Sequence, residues 1–268
     1  MSQTINTNVA SLNAQRNLTM SQSSLATSMS RLSSGLRVNT AKDDAAGLAI
    51  AERMNAQIKG INVSIRNAND GISLAQTAEG ALATITDALQ RMRELSVQAQ
   101  NGSNGTGDRA NLDTEYQQLS AEITRIAAQT KFNGVAIVGA SAGAQVFQVG
   151  PNGGDTLTIT TSTVTTVGGG VTTSANASTA LGALDTALDT ITTSRASYGA
   201  AISRFGMAIQ NLQITGENQS AARGRIMDAD FASETANLSR AQILQQAGNA
   251  MVAQANQLPQ QVLQLLRQ

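Results

Sequence analysis

The chain contains no histidine, no cysteine and no tryptophan, and only 2% of its 268 residues are aromatic. Without imidazole or thiol there is no ordinary base titrating near neutrality, no cysteine nucleophile and no thiolate metal site. No phosphate-cradling glycine motif is present, so no cofactor is expected and an enzyme is the weakest reading. The absence of cysteine excludes disulfides but fixes no compartment. So few aromatic rings argue against a thick globular core. Formal net charge is zero, which leaves no electrostatic case for nucleic acid or an anionic membrane. No apolar run reaches the roughly 18 residues that suggest a membrane span. The opening MSQTINTNVASLNAQ lacks the basic start and apolar core of a secretory signal. These features read as cytoplasmic, or as a protein exported by a machine that uses no cleaved signal.

What is present is helical periodicity, concentrated at the two ends. In the tail from Asp228, apolar side chains recur at Leu244, Ala247, Met251, Ala255, Leu258, Val262 and Leu265, a three-to-four spacing that draws one stripe along a helix. Between Arg240 and Arg267 there is no charge, and the remaining positions are rich in Gln and Asn. A helix facing bulk water normally carries Lys and Glu there. An uncharged polar face suits a helix packed among copies of itself, where amides can cross-bond and charge is costly to bury. The N-terminus repeats the design with Ile5, Val9, Leu12, Leu18, Leu25, Met29, Leu32 and Leu36, and only Arg16 is charged before Arg31. Two such stripes predict a two-helix coiled coil built from both chain ends.

Between the ends, Ser33, Ser34, Gly35, Asn39 and Thr40 break the helical pattern and read as a linker, with Asp43 and Asp44 in the first turn of the next helix. Met54, Ile58, Ile61, Ile65, Ala68, Ile72 and Ala75 keep a four-three alternation, resumed at Leu82, Ile85, Leu89 and Met92 after a phase slip near Gly80. Asn101–Gly107 is a turn, and Leu112, Tyr116, Leu119, Ile123 and Ile126 mark a returning helix. Val135–Val138 and Gln145–Val149 read as the two strands of a β-hairpin. Residues 150–178 read as one or two short strands and a Thr-rich surface loop, either bare or a glycan acceptor. A long helix over about 178–220 follows, with a second linker at Gly216 and Gly224. The predicted fold is mainly α: a long antiparallel helical bundle with a small β-hairpin region, plus the terminal coiled coil. The domains are 1–42 with 223–268, 43–149 with 177–222, and a variable segment at 150–176.

The ends offer about 20 sizeable apolar side chains, each contributing at most roughly 1.5–3 kcal/mol on full burial. Ordering about 80 residues costs roughly 1–2 kcal/mol each. A lone hairpin leaves much of each stripe wet, so the ends are expected to order only when other subunits cover them.

INTNVASLNAQRNL, LSSGLRVNTAKDDAAGLAIAERM, NDGISLAQTAEGAL, LQRMRELSVQA, QTKFNG and MDADFASETANLSRAQILQQAGNAMVAQANQLPQQVLQLL resemble bacterial flagellins, in the family's order and over essentially the whole length. The resemblance implies a homo-oligomeric, extracellular filament subunit for swimming, exported unfolded through the flagellar type III apparatus. It implies an inner-core assembly role for Ile5, Val9, Leu12, Leu25, Met29, Leu32, Leu244, Met251, Leu258, Val262 and Leu265. Implied partners are an export chaperone, the filament cap, hook-associated junction proteins and a host flagellin-sensing Toll-like receptor. For that receptor the matching residues are Gln90, Arg91, Arg93, Glu94, Leu95 and Gln98, with Glu115 on the neighbouring helix. The plain alternative for these is a solvated helix face or a subunit contact. Arg31, Arg37, Lys42, Asp43 and Asp44 allow intersubunit salt bridges, with local capping the simpler account. The family tail also carries a proline at the position of Pro259, so the helix assignment stands there despite the lost hydrogen bond. The methionines read as core fillers. A membrane-active translocator is disfavoured because its helices would carry Lys and Arg, and the compact middle favours the filament protein over a hook-associated one.

Overall fold

The computed structural model describes residues 7–161, 163–164 and 167–265, with side chains from 258 onward not described. The elements run α1 (Val9–Ser34), α2 (Ala45–Gln100), α3 (Thr106–Gln129), β1 (Lys131–Phe132), β2 (Val135–Ala136), β3 (Gln145–Gln148), β4 (Thr156–Ile159), α4 (Ser174–Met227) and α5 (Phe231–Leu265). The fold is mainly α, with two small antiparallel strand pairs, as the periodicity predicts. The chain divides into a terminal unit, residues 1–56 with 218–268, and a larger unit, residues 57–217.

In the larger unit, α2, α3 and α4 bury Leu82, Ile85, Leu89 and Met92 with Tyr116, Ile123, Leu184, Ile191, Tyr198 and Phe205. The apolar positions on each helix recur every three or four residues, so each presents one continuous row to the others. Two glycines allow close approach. A Cβ on Gly71 would meet the Phe205 ring at 2.8 Å, and one on Gly60 would meet Pro151 at 2.9 Å. The Phe205 ring is held edge-on by Phe147, with centroids 5.6 Å apart.

The strand pairing differs from the expected hairpin. Val135–Ala136 pairs with Lys131–Phe132, and Gln145–Gln148 pairs with Thr156–Ile159. The cause is local: Asn133 (φ 48°) and Gly134 (φ 80°) both adopt the left-handed conformation, and a two-residue Asn-Gly turn closes a hairpin on its immediate flanks. The Thr-rich connection is also more structured than a surface loop. Ile159, Val164, Val167 and Val171 are buried. One face of α3 fixes the segment: Gln117 donates to the Gly169 carbonyl (2.7 Å), Ser120 donates to that of Val167 (3.2 Å), and Asp113 accepts from Val171 N–H (2.6 Å).

The expected linker at Gly216 and Gly224 is absent, because α4 continues through both to Met227. Glycine weakens a helix by about 1 kcal/mol, and packing overrides that here; a Cβ at Gly216 would lie 3.4 Å from Ile61. The linker near residue 35 is present. Gly35 (φ 71°) ends α1 by donating its N–H to the Arg31 carbonyl at 2.8 Å. Leu36 bridges Asp228, Arg37 N–H reaches the Met227 carbonyl (2.6 Å), and Val38, Ala51 and Met227 close a small core. Asp44 lies just before α2 and caps it, its carboxylate accepting from Gly47 N–H at 2.8 Å.

Candidate assembly and recognition surfaces

In the terminal unit α1 and α5 lie antiparallel. Asn8 donates to the Ala255 carbonyl (2.8 Å) and Ser11 to the Asn256 side chain (2.7 Å) at one end, and Arg31 meets Glu234 (3.8 Å) at the other. The covered residues are Ser11, Ala14, Leu18, Ser21, Leu25, Ser28 and Leu32 on α1, and Glu234, Leu238, Ala241, Gln245, Gly248, Val252 and Ala255 on α5. Both sets alternate three and four, the spacing of a coiled-coil seam. Small residues recur along the seam, and a Cβ on Gly248 would already lie 3.2 Å from Leu18.

This corrects the expected stripe. Val9, Leu12, Met29, Leu244 and Met251 do not face the partner helix; all five are exposed. The reason is register: the seam row mixes small residues with Leu18, Leu25, Leu32, Leu238 and Val252, and the five exposed residues fall outside its three-four repeat. Leu25 and Leu32 do lie in the seam. Ile5 lies outside the described residues, as do the side chains of Leu258, Val262 and Leu265. Sequence reasoning missed Ser11, Ser28, Ala241 and Gly248 because a hydrophobic count skips small residues; the seven-residue recurrence of Ala14, Ser21 and Ser28 and of Ala241, Gly248 and Ala255 was the available signal. A groove of about 730 Å³ runs between the helices, lined by Met20, Ser24, Arg31, Glu234, Asn237 and Leu244 among others.

In the larger unit, the face of α2 around residue 91 carries the second constellation. Gln90, Arg91, Arg93, Glu94 and Gln98 are exposed, whereas Leu89, Met92 and Leu95 are buried. Leu95, at 1% exposure, therefore anchors the helix and presents no surface. Arg91 is held at 2.8 Å by Glu115 on α3 and at 2.9 Å by Glu94, and these hydrogen bonds raise its pKa further. Arg93 is held at 2.8 Å by Asp185 on α4, which sequence spacing gave no means to find. Such exposed pairs contribute little to stability; they hold the guanidinium planes at fixed angles. Gln90, Arg93, Glu94, Val97 and Gln98 line a shallow recess of about 490 Å³.

Among the described residues, Arg31, Arg37, Asp43 and Asp44 have partners within the chain: Glu234, the Ile226 carbonyl, the Asn39–Thr40 turn and Gly47 N–H. No group of acidic residues there is arranged to hold a metal, and no helix is long and apolar enough to cross a membrane.

Paired terminal helices that leave several large apolar residues exposed, in a chain that also holds a well-packed helical unit, define a structural subunit built for assembly. Comparison with known proteins gives the family. Residues 5–142 match the bacterial flagellin N-terminal helical region and residues 181–266 the C-terminal helical region. The chain is 44% identical to a flagellin of Halalkalibacterium halodurans, covering 98% of this chain and 99% of that one. It is also 44% identical to a flagellin of Xenorhabdus nematophila over the full length of both. The crystal structure of Bacillus cereus flagellin superposes with a TM-score of 0.52 at 34% identity, covering 59% of this chain and 94% of that one. The chain belongs to the bacterial flagellin family. It is a structural subunit of the flagellar filament, not an enzyme.

Proposed function

We propose that the outward rows of the terminal unit are the surfaces by which successive copies join. Val9, Leu12 and Met29 on α1 and Leu244 and Met251 on α5 form these rows, and Ile5, Leu258, Val262 and Leu265 extend them in sequence. The observation carrying this reading is that the seam closes without Val9, Leu12, Met29, Leu244 and Met251, which stand exposed. Apolar surface left exposed in this way marks an interaction site. A neighbouring copy offers the same uncharged, amide-rich face. On this reading the subunit travels unfolded through the type III export apparatus, attended by a chaperone, and is added under a filament cap beyond the hook-associated junction proteins. Deleting residues 240–268 abolishes growth on a filament seed, followed by sedimentation. Undiminished growth of the truncated chain would overturn the role assigned to α5.

A second reading is supported by the fixed guanidinium groups of α2. Gln90, Arg91, Arg93, Glu94, Gln98 and Glu115 form a surface that suits the flagellin-sensing Toll-like receptor, with Arg91 as planar anchor. Removing an anchor of about 2 kcal/mol weakens binding roughly 30-fold. Arg91→Ala therefore shifts the half-maximal dose of a receptor reporter assay by about that factor. An unchanged dose response would restrict these residues to ion pairing within the bundle.

A further inference from the structure

The chain has no cysteine and no tryptophan, so thioether sulfur is the side chain most open to a mild two-electron oxidant. Of its eight methionines, Met1 lies outside the described residues, Met54 is half-buried, and the other six fall into two groups. Met92 and Met227 are buried, at 0% and 5% exposure. Met20, Met29, Met207 and Met251 are exposed at 55–63%, and all but Met207 lie on α1 and α5. Met20 lines the groove between those helices beside Leu244, and Met251 stands seven residues beyond Leu244, on the same side of α5 two turns later. The sequence pattern treated these residues as core fillers, a role that Met92 and Met227 fill and these do not.

We infer that Met20, Met29 and Met251 form an oxidant-sensitive site that controls whether a free subunit can join the filament. The inference rests on the assembly role proposed above for the outward rows. With hydrogen peroxide, a sulfur lone pair attacks one peroxide oxygen and the O–O bond breaks. The departing hydroxide takes the remaining proton as water, so the thioether is oxidised to sulfoxide and the peroxide is reduced. The product is a strong hydrogen-bond acceptor on a surface that neighbouring copies would cover. Donors beside Met20 are already committed: the hydroxyls of Ser21, Ser24 and Thr27 donate to the carbonyls of Asn17, Met20 and Ser23 at 3.0–3.1 Å. No Lys or Arg lies between Arg16 and Arg31 or between Arg240 and Arg267. Arg31 and Arg240 line the same groove as Met20, but Met251 has no Lys or Arg within ten residues along α5. A sulfoxide covered there has only neutral donors to meet it, and burying an unpaired acceptor is unfavourable.

The test treats free subunit and preformed filament with hydrogen peroxide and locates the added oxygen by peptide mass spectrometry. In the free subunit Met20, Met29, Met207 and Met251 are oxidised, and Met92 and Met227 are spared. In the filament Met20, Met29 and Met251 are also spared. Oxidised subunits extend a seed at least about tenfold more slowly, and methionine sulfoxide reductases restore growth. The triple variant Met20→Leu, Met29→Leu, Met251→Leu keeps its growth after peroxide, whereas Met207→Leu alone protects nothing. Normal growth of oxidised wild type, failure of the reductases to rescue it, or equal inhibition of the triple variant overturns the inference while leaving the assembly role standing. Untreated wild type that does not extend a seed overturns both.

Discussion

In the larger unit, α2, α3 and α4 meet over Leu82, Leu89, Met92, Tyr116, Tyr198 and Phe205, all 1% exposed or less. In the terminal unit, α1 and α5 meet over a seam in which Ser11, Ser21, Ser28, Ala241, Gly248 and Ala255 share the row with half-buried Leu18, Leu25, Leu32, Leu238 and Val252, while Leu12, Met29, Leu244 and Met251 are exposed. Both interfaces use the same three-four spacing, so periodicity does not separate them. Side-chain volume does. Burial scales with the apolar area removed from water, and a seam with so many small residues removes less. On the assembly role proposed above, the first unit is complete within one chain and the second is half of an interface.

The largest expected consequence lies in hydrogen exchange of the dilute, free subunit. The larger unit spans residues 57–217, a size normally stabilised by on the order of 8 kcal/mol or more. That corresponds to amide protection of about a million-fold for the central turns of α2 and α4. Amides of α1 and α5 are expected to exchange with little protection and to become protected in the filament. Equal protection of both units in the free subunit would break the comparison outright. Next in size, Phe205→Ala removes a ring that packs on Gly71 and Phe147 and costs about 3–5 kcal/mol in urea unfolding. Leu18→Ala in the terminal seam leaves that transition where it is, because the seam is not part of the same cooperative core.

Glycine substitutions sharpen the contrast with opposite signs. Replacing a helical glycine by alanine gains about 1 kcal/mol in helix propensity. At Gly71 the new methyl would press the Phe205 ring tip at 2.8 Å, and that ring is pinned by Phe147. Overpacking of this kind costs about 1–3 kcal/mol, so Gly71→Ala is destabilising overall. At Gly248 the obstacle is a terminal methyl of half-buried Leu18 at 3.2 Å, which can rotate away. Gly248→Ala therefore raises the helical circular dichroism of the free subunit. Gly80→Ala, where nothing lies within 4 Å, gives the propensity gain alone and serves as reference. Gly71→Ala that stabilises as much as Gly80→Ala would show the larger unit to be loosely packed.

The sequence made the helices legible because their apolar rows are long: Leu82, Ile85, Leu89 and Met92 alone fix which face of α2 turns inward. It also made Arg91 and Glu94 legible as outward residues, since they fall between those positions. Other features were not readable. The strand partner of Val135 is decided by the left-handed Asn133–Gly134 pair, which signals a hairpin but in sequence also reads as the stop of α3. The burial of Val164, Val167 and Val171 depends on Asp113, Gln117 and Ser120 far away in sequence. The terminal seam was legible at Leu18, Leu25, Leu32 and Ala255 but not at its other small positions, because hydrophobic patterning ranks Leu244 above Ser28.

The smallest effect concerns charge, in the segment between α1 and α2. Asp43 accepts from the backbone N–H of Thr40 at 2.9 Å, from the Thr40 hydroxyl at 3.0 Å and from Asn39 N–H at 3.2 Å. The Thr40 bonds chiefly hold its pKa below the ordinary 3.8, with a small contribution from Arg31. A carboxyl whose pKa is lowered on folding stabilises the fold above its unfolded value, and that contribution is lost as pH falls through the folded value. Asp43→Asn keeps one acceptor oxygen and removes the charge. Wild type and variant should therefore differ modestly in thermal midpoint at neutral pH and converge only as pH drops below about 3.8. Full exposure and salt screening keep the difference small. Convergence already at pH 5, or a Asp43 carboxyl titrating by NMR at or above its ordinary value, would mean that the turn is not formed in solution. The terminal unit would then lack even the local order that its connecting segment shows here.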